Sequence, residues 1–250
     1  MKFEIIDNIN KFLEIESKWN NLYFSDDYTF FQSFNYNFYS WKNILFKDSL
    51  NTLNIILVSQ KNTLVAICPF YIDKLKRLRF INDIHTDFCD ILLVEEFELS
   101  KIIKSFNLIK SISLINVTKA SNIQKVLNLD QYNYIHKYQS FFSYINLKKG
   151  EFPQNHSILR SKQKSEFRRI AKKHTDSIHL ILSINNSDFP INKINTLRNK
   201  MIKSKVRRKS FLDSNFLKLI QSLYAKNELI ISIIKNGSCI KAISFILKKD

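Results

Sequence analysis

Apolar and polar residues alternate along this chain in two rhythms, and one arrangement of them occurs twice. Residues 54–72 read N-I-I-L-V-S-Q-K-N-T-L-V-A-I-C-P-F-Y-I, and residues 230–248 read I-I-S-I-I-K-N-G-S-C-I-K-A-I-S-F-I-L-K. Laying Ala66 on Ala242, an offset of 242 − 66 = 176 positions, aligns an apolar run, a polar turn and a second apolar run. Each copy is the signature of a β-hairpin. Two helix-like segments precede each hairpin. An internal repeat of this kind sets the architecture before any single motif does. The first copy continues for roughly another domain's worth of elements. The second reaches Asp250 a few residues past its hairpin, so the pattern predicts a second copy that is a fragment or a degenerate form of the first.

The rest of the chain reads as alternating helices and strands. Phe12, Ile15, Trp19 and Leu22 recur at three- and four-residue steps and predict one amphipathic helix over 9–23. Ser25-Asp26-Asp27 ends it. A second helix carries Tyr36, Tyr39, Trp41 and Leu45, with Ser33 placed to cap it. The first hairpin spans 53–58 and 64–72, followed by a basic turn from Lys74 to Arg79 and a short strand within 80–93. A helix is predicted over 97–109, a strand over 112–117, a short helix over 120–127, and one or two strands over 132–147. Lys148 to Pro153 is a linker. A basic helix over 157–174, a strand over 178–184, helices around Ile191–Met201 and Phe216–Tyr224, and the second hairpin complete the chain. Asp213 or Ser214 caps the last helix. The predicted division is residues 1–147 as a first lobe, 148–176 as linker and basic helix, and 177–250 as the first half of a second lobe. The order predicts an α/β fold with mixed sheets.

Composition narrows the chemistry. A hydrophobic fraction of 45% in 250 residues is enough for a real core. There are only 2 glycines, Gly150 and Gly237, far apart, so Gly-rich phosphate loops of the Walker or Rossmann kind are excluded. The 3 cysteines, Cys68, Cys89 and Cys239, form no CxxC spacing. They predict free thiols in a reducing compartment, with Cys68 and Cys239 as small apolar strand residues. Lys2, Glu4 and Asp7 interrupt any N-terminal apolar core of a signal peptide. No uncharged stretch has the length to span a bilayer. These features predict a cytoplasmic protein, with peripheral attachment to a membrane left open. The net charge of +17 points to an anionic partner. Abundant Asn, Ile and Phe point equally to an AT-rich coding bias that inflates lysine, so the placement of charge matters more than its total.

Charge concentrates in two places. On a helical wheel Leu159, Gln163, Phe167, Ile170 and His174 fall within an arc of about 80°. Arg160, Lys162, Lys164, Arg168, Arg169, Lys172 and Lys173 occupy the remainder, against the single acid Glu166. Either this broad cationic surface meets phosphates, carboxylates or a nucleic-acid backbone, or it is a solvated face. The connector Lys203, Lys205, Arg207, Arg208 and Lys209 is a second wall of the same site or an exposed loop. His85, Asp87, Cys89 and Asp90 form the other candidate cluster. On a strand His85, Asp87 and Cys89 would share a face, which suits a substrate-binding carboxylate at Asp87 or Asp90 better than a metal. The plainer alternative has Asp87 and Asp90 capping and pairing with Arg77 or Arg79. No nucleophile elbow or Cys–His pairing is present, and His136, His156 and His179 are scattered.

Taken in order, several segments resemble the double-lobed, Fem-like acyltransferases of the GNAT superfamily, the group that includes acetyltransferase-like proteins linked to cellulose biosynthesis. The matching residues are W-N-N-L (19–22), T-F-F-Q-S (29–33), Trp41, A-I-C-P-F-Y-I (66–72), T-D-F-C-D-I-L-L (86–93), L-R-S-K-Q-K-S-E-F-R-R-I-A-K-K (159–173) and K-N-G-S-C-I-K-A-I-S-F-I-L (235–247). The resemblance implies two tandem GNAT-like lobes, the second incomplete. It implies an acyl-CoA (acetyl-CoA) or aminoacyl-tRNA donor held largely by the second lobe, no metal, and an amine or sugar hydroxyl acceptor near the cleft. An N- or O-acyltransferase, of the GNAT N-acyltransferase type and acting in cell-envelope or polysaccharide biosynthesis, follows as the expected function. Family elements that would hold the donor pyrophosphate lie, in the second copy, past residue 250, so no catalytic or donor-binding residue is carried over. Arg168, Arg169, Lys164, Lys172, Asp87 and Asp90 are the expected substrate-binding residues. A nucleic-acid-binding module using the basic helix, and a non-catalytic scaffold, are the competing readings.

Overall fold

A computed structural model of the chain describes residues 1–104, 109–127, 161–173, 175–185 and 187–249. It is an α/β structure with two sheets. The first unit opens with β1 (Lys2–Ile6), α1 (Ile9–Glu14), α2 (Glu16–Tyr23) and α3 (Phe34–Ser40). The last of these runs on as a wider π-helical turn over Trp41–Leu45. The hairpin β2 (Thr52–Gln60) and β3 (Thr63–Ile72) follows, then β4 (Arg77–Phe80), β5 (Leu92–Leu93), α4 (Leu99–Lys104), β6 (Ser111–Ile112) and α5 (Ile123–Val126). Beyond it come α6 (Ser161–Lys173), β7 (Ile178–Leu182), α7 (Ile191–Lys203), α8 (Ser214–Ala225), β8 (Leu229–Asn236) and β9 (Cys239–Leu247).

The first sheet has the order β1-β2-β3-β4-β6, with β5 also on β3. It is mixed, because β4 and β6 run parallel while the other pairs are antiparallel. Lys61 and Asn62 turn the hairpin with φ of 48° and 67°, the two left-handed residues of a tight turn whose twist matches the strands. Along its outer edge β3 meets β5 at Ala66 and Ile67, and β4 at Phe70 to Ile72. Pro69 stands in the gap, where its missing N–H is not needed, and its carbonyl accepts from Ile81 N at 2.9 Å.

The repeat is wider than the hairpin. Lys2 pairs with Ser59 and Ile178 with Lys235; Val58 pairs with Ala66 and Ile234 with Ala242; Gln60 pairs with Thr63 and Asn236 with Cys239. Every one of these correspondences is separated by the same 176 positions read from the hairpins. Even the bulge recurs, between Val58 and Ser59 and between Ile234 and Lys235. The repeated unit is therefore strand, helices, hairpin. Its opening strand in the first copy is absent from the periodicity reading, because Glu4 interrupts the short K-F-E-I-I run and only pairing with β2 reveals it.

Local chemistry explains the helices. Asn8 caps α1 by accepting from Lys11 N at 3.0 Å. The single helix expected over 9–23 is two, because Ile15 leaves helical geometry (φ −89°, ψ 3°). Phe12, Ile15 and Trp19 all face inward across the break, and all three are buried. Ser33 caps α3 at Tyr36 N, as expected. Of the two candidate caps for α8, Asp213 does the work, accepting from Asn215 N and Phe216 N. The turn expected from Lys74 to Arg79 becomes β4 from Arg77 onward, and the strand expected over 112–117 shrinks to Ser111–Ile112. The strands expected over 132–147 and the 148–153 linker lie outside the described residues.

Three apolar clusters hold the structure. One face of the first sheet (Leu53, Ile55, Leu57, Ile67, Tyr71) packs on Phe12, Trp19, Phe34, Phe38 and Trp41. Phe34 and Phe38 stack there at 5.5 Å. The opposite face (Ile56, Val58, Ala66, Cys68, Phe70) lies under Leu99, Ile102, Ile103, Ile123 and Val126. The third cluster joins the units. Leu217, Leu219, Ile220, Leu223 and Tyr224 of α8 pack with Ile231 and Ile233 of β8, and with Tyr36, Phe30, Phe31 and Ile44 of the first unit. Asn35 Nδ2 donates to Glu228 Oε1 at 2.5 Å, Asn43 Nδ2 donates to Ser222 Oγ at 3.3 Å, and Lys47 pairs with Asn215 across the same seam. The last helix before each hairpin is thus the element through which the copies meet. Leu223 is 1% exposed at this seam. Leu223→Ala should cost about 2–5 kcal/mol, read as a lower urea midpoint, and should raise hydrogen exchange in α3 as well as in α8. Loosening confined to α8 would show that the seam does not couple the units.

Candidate functional site

The segment after β4 holds a cluster of buried polar groups, Asn82, Asp83 and Thr86. Asn82, in a left-handed conformation (φ 58°), is fully buried. Its Nδ2 donates to Tyr36 Oη at 3.1 Å and to Ser40 Oγ at 3.0 Å. Tyr36 Oη also reaches the His85 carbonyl at 3.0 Å and Thr86 Oγ1 at 3.1 Å, and Thr86 Oγ1 donates to the Asn82 carbonyl at 2.8 Å. Burial pushes the Tyr36 phenol well above its ordinary range, so it serves this cluster as a neutral hydroxyl. Asn116 ties the loop from outside, donating to the carbonyls of Asp83 at 2.8 Å and Thr86 at 2.7 Å.

Two arginine–aspartate pairs frame this cluster. Arg79 holds Asp83 with two bonds, Nε to Oδ2 at 2.9 Å and Nη2 to Oδ1 at 2.8 Å. Arg77 holds Asp73 at 2.7 Å, and backbone N–H groups of Leu75 and Arg77 also donate to Asp73. Burial raises the pKa of Asp83 more than Arg79 lowers it. At Asp73 burial works the same way, but the Arg77 pair and the two N–H donors outweigh it and hold the carboxyl below its usual value. Arg77 and Arg79 therefore pair with Asp73 and Asp83, not with Asp87 or Asp90. A spacing of four residues across β4 is the signal that points to these partners.

The predicted cluster of His85, Asp87, Cys89 and Asp90 does not share a strand face. A tight turn at Asp83–His85 and irregular chain beyond it spread these residues apart. Asp87 is exposed. Cys89 is buried, and burial pushes its thiol far up, away from the reactive thiolate. Asp90 caps the start of α5, accepting from Asn122 N at 2.7 Å, Ile123 N at 2.9 Å and Ile91 N at 2.8 Å. His85 sits at the seam between units, its ring 4.7 Å from Phe216. Partial burial there lowers its pKa, with Asp213 and Asp83 pulling the other way. Among the described residues no three His, Cys, Asp or Glu side chains stand close enough to hold a metal ion.

The cationic candidates lie in the second half. On α6 Lys162, Arg168, Arg169 and Lys172 are exposed and Lys164 is half-buried. Arg169 is engaged by Glu166 through bonds of 2.8 and 2.6 Å. Leu159 and His174 of the predicted apolar stripe, and the side chains of Phe167 and Ile170, lie outside the described residues. The connector after α7 is exposed but tied down. Arg198 donates to the carbonyls of Phe211 and Lys209, each at 2.7 Å, and Arg207 lies 5.1 Å from the Phe211 ring centre. A cavity of about 260 Å³ opens between α7 and the second hairpin, lined by Asn192, Lys193, Thr196, Leu197, Lys200 and Ser238 with Ile240. Two lysines and two hydroxyls there can receive a small anion. Sequence reading missed this cavity, since only folding brings the Ser238 turn beside Lys193 and Lys200.

The fold and these surfaces define an α/β protein built from a duplicated strand–helix–hairpin unit, with cationic surface concentrated in and before its second copy. No protein-family model matches the chain, and neither a curated protein nor a solved structure matches it significantly. No helix among the described residues is long and apolar enough to cross a membrane.

The Arg79–Asp83 pair yields a test with a defined sign. Asp83 is 1% exposed, so Arg79→Met should strand a buried carboxylate and destabilise by about 3–5 kcal/mol at neutral pH. The folded pKa of Asp83 is already above its ordinary 3.8 and should rise further. Between the two values the folded state holds the extra proton, so stability falls as pH rises. The penalty of the variant should therefore shrink on acidification and be smallest below about 3.8, measured by urea unfolding from pH 3 to 8. A pH-independent penalty would mean that Arg79 contributes packing only.

Proposed function

We propose that this protein is an acyltransferase-like protein that takes an acyl-CoA as donor and an amine or sugar hydroxyl as acceptor. The duplicated unit carries the reading: two copies of one strand–helix–hairpin module in a single register, joined through equivalent helices. That organisation is what the likeness to two-lobed GNAT proteins implies. In such a reaction the acceptor N or O attacks the thioester carbonyl, a C–N or C–O bond forms, the C–S bond breaks, and the CoA thiolate leaves and takes up the acceptor's proton. The protein's task is to orient both partners and to stabilise the developing oxyanion. The phosphates of CoA need cationic groups. The exposed Arg168, Arg169 and Lys172, the half-buried Lys164 and the Lys193–Lys200 cavity supply them in and before the second copy. Guanidinium forks suit phosphate better than ammonium groups do, and Arg169 would exchange Glu166 for the ligand.

Nucleic acid is the second reading, favoured by the predominantly cationic exposed surface of α6, where Glu166 is the single acid, and by the 203–209 connector. The two readings separate in a titration with acetyl-CoA and with a mixed-sequence oligonucleotide at two salt concentrations. Saturable acetyl-CoA binding, weakened about tenfold by the double substitution Arg168→Ala, Arg169→Ala or by Lys193→Ala, Lys200→Ala, with unchanged thermal stability, is the expected result. Tight oligonucleotide binding with a steep salt dependence would replace it with the nucleic-acid reading. Binding of neither would leave a scaffold.

A further inference from the structure

The loops that join the two helices before each hairpin have the same length and opposite charge. In the first copy residues 24–33 read F-S-D-D-Y-T-F-F-Q-S, with Asp26 and Asp27 and no base. In the second, residues 204–213 read S-K-V-R-R-K-S-F-L-D, with Lys205, Arg207, Arg208 and Lys209 and the single acid Asp213. Lys203 at the end of α7 adds a fifth cation. Asp213 is committed to the start of α8, where it accepts from Asn215 N and Phe216 N. Among the described residues no carboxylate forms an ion pair with any of the five cations. Residues 128–160 bring the acids Asp130 and Glu151 against the bases Lys137, Lys148, Lys149 and Arg160, so they add more positive charge than negative.

The cations are nevertheless held close together, because both ends of the loop are fixed on α7. Val206 N and Arg207 N donate to the Met201 carbonyl at 2.9 and 3.2 Å. Arg198, half-buried on α7, donates from Nε to the Phe211 carbonyl and from Nη2 to the Lys209 carbonyl, each at 2.7 Å. Phe211 N closes a turn on the Arg208 carbonyl at 3.0 Å, and the Arg207 guanidinium lies 5.1 Å from the Phe211 ring centre. Leu212 is left-handed at φ 47°, a costly conformation for a bulky side chain, and it directly follows a carbonyl that Arg198 holds. Arg198 stands only about 7.5 Å before Lys203 along the helix, so the chain leaves α7 and doubles back beside it. Like charges crowded into one fixed loop repel one another and call for a counter-anion of matching size. A di- or triphosphate concentrates several charges on that scale, whereas a nucleic-acid backbone spreads single charges along an extended track. The guanidinium forks of Arg207 and Arg208 suit phosphate oxygens.

We propose that the 203–209 connector is a binding loop for a compact polyphosphate group, the di- or triphosphate of a small ligand, and that Arg198 is the positioning residue that shapes it. The site does not depend on acyl transfer; an acyl-CoA donor is one diphosphate ligand among those it can take. The probe is inorganic tripolyphosphate, titrated into the full chain by calorimetry, with tryptic cleavage after Lys203, Lys205, Arg207, Arg208 and Lys209 followed by mass spectrometry. Saturable binding is expected, tighter than for orthophosphate, with slower cleavage across the connector. Arg207→Ala with Arg208→Ala should weaken binding about tenfold and leave thermal stability unchanged. Arg198→Lys keeps the charge but lacks the fork that spans both carbonyls. It should weaken binding severalfold and speed cleavage of the connector in the absence of ligand. Unchanged affinity and cleavage in Arg198→Lys overturn the positioning role. Absence of tripolyphosphate binding overturns the site. So does binding that survives the Arg207 and Arg208 changes and is lost with Lys193→Ala and Lys200→Ala, since the polyphosphate then sits in the cavity beside the second hairpin. A mixed-sequence oligonucleotide that binds through the same two arginines more tightly than tripolyphosphate gives the loop to nucleic acid and overturns the proposal as well. Tripolyphosphate binding without acetyl-CoA binding sustains the loop and removes only the acyl-CoA reading.

Discussion

A three-stranded sheet has two apolar faces, and the helices folded between its first strand and its hairpin can cover only one of them. This constraint governs both halves of the protein. In the first copy α1, α2 and α3 fill one face with an aromatic cluster centred on Phe12, Trp19 and Phe34. The other face is closed by the chain that follows, through β5, α4 and α5. The second copy uses α7 and α8 in the same way, and α8 then has a second duty: its far side packs on Tyr36 and the aromatic residues around it. One helix thereby serves as the roof of one sheet and the wall of the other unit.

Polar chemistry is arranged around that seam. Tyr36 belongs to the apolar cluster through its ring and to the Asn82–Ser40–Thr86 cluster through its hydroxyl. Buried polar groups of this kind are tolerated when they bond one another, and then they fix a single arrangement. The loop they hold presents the His85 ring to Phe216 of the other unit. Arg79–Asp83 and Arg77–Asp73 brace the strand from which the loop departs. Asp90, singled out as a substrate ligand by its neighbours in sequence, spends its oxygens on three backbone N–H groups. A carboxylate committed in this way organises a helix start and has little left for a ligand.

The cationic surface has a different character. Its residues are exposed, and its best-defined member, Arg169, is bridged to Glu166. Exposed charge pairs contribute little to stability, so this surface gives the fold little structural support. The Lys193–Lys200 cavity is more confined, because a helix forms one wall and a hairpin turn the other.

The amino-acid sequence by itself determined the duplication. Apolar alternation around two polar turns is local information, and its offset carries unchanged from the hairpins to β1 and β7. Capping by Ser33, and by one of the neighbours Asp213 and Ser214, was legible for the same reason, since a cap reads the next three residues and nothing farther away. The break at Ile15 was not, because Phe12, Ile15, Trp19 and Leu22 keep the spacing of one uninterrupted helix. The partners of Arg77 and Arg79 left only a four-residue spacing to Asp73 and Asp83 in the sequence, and how the chain turns into and out of β4 decides that these aspartates, not Asp87 or Asp90, are engaged. The tertiary structure alone decided that α8 meets α3 and that Ser238 faces Lys193. Burial is a property of what lies across the contact, and the contact residues are often more than a hundred positions away in the chain.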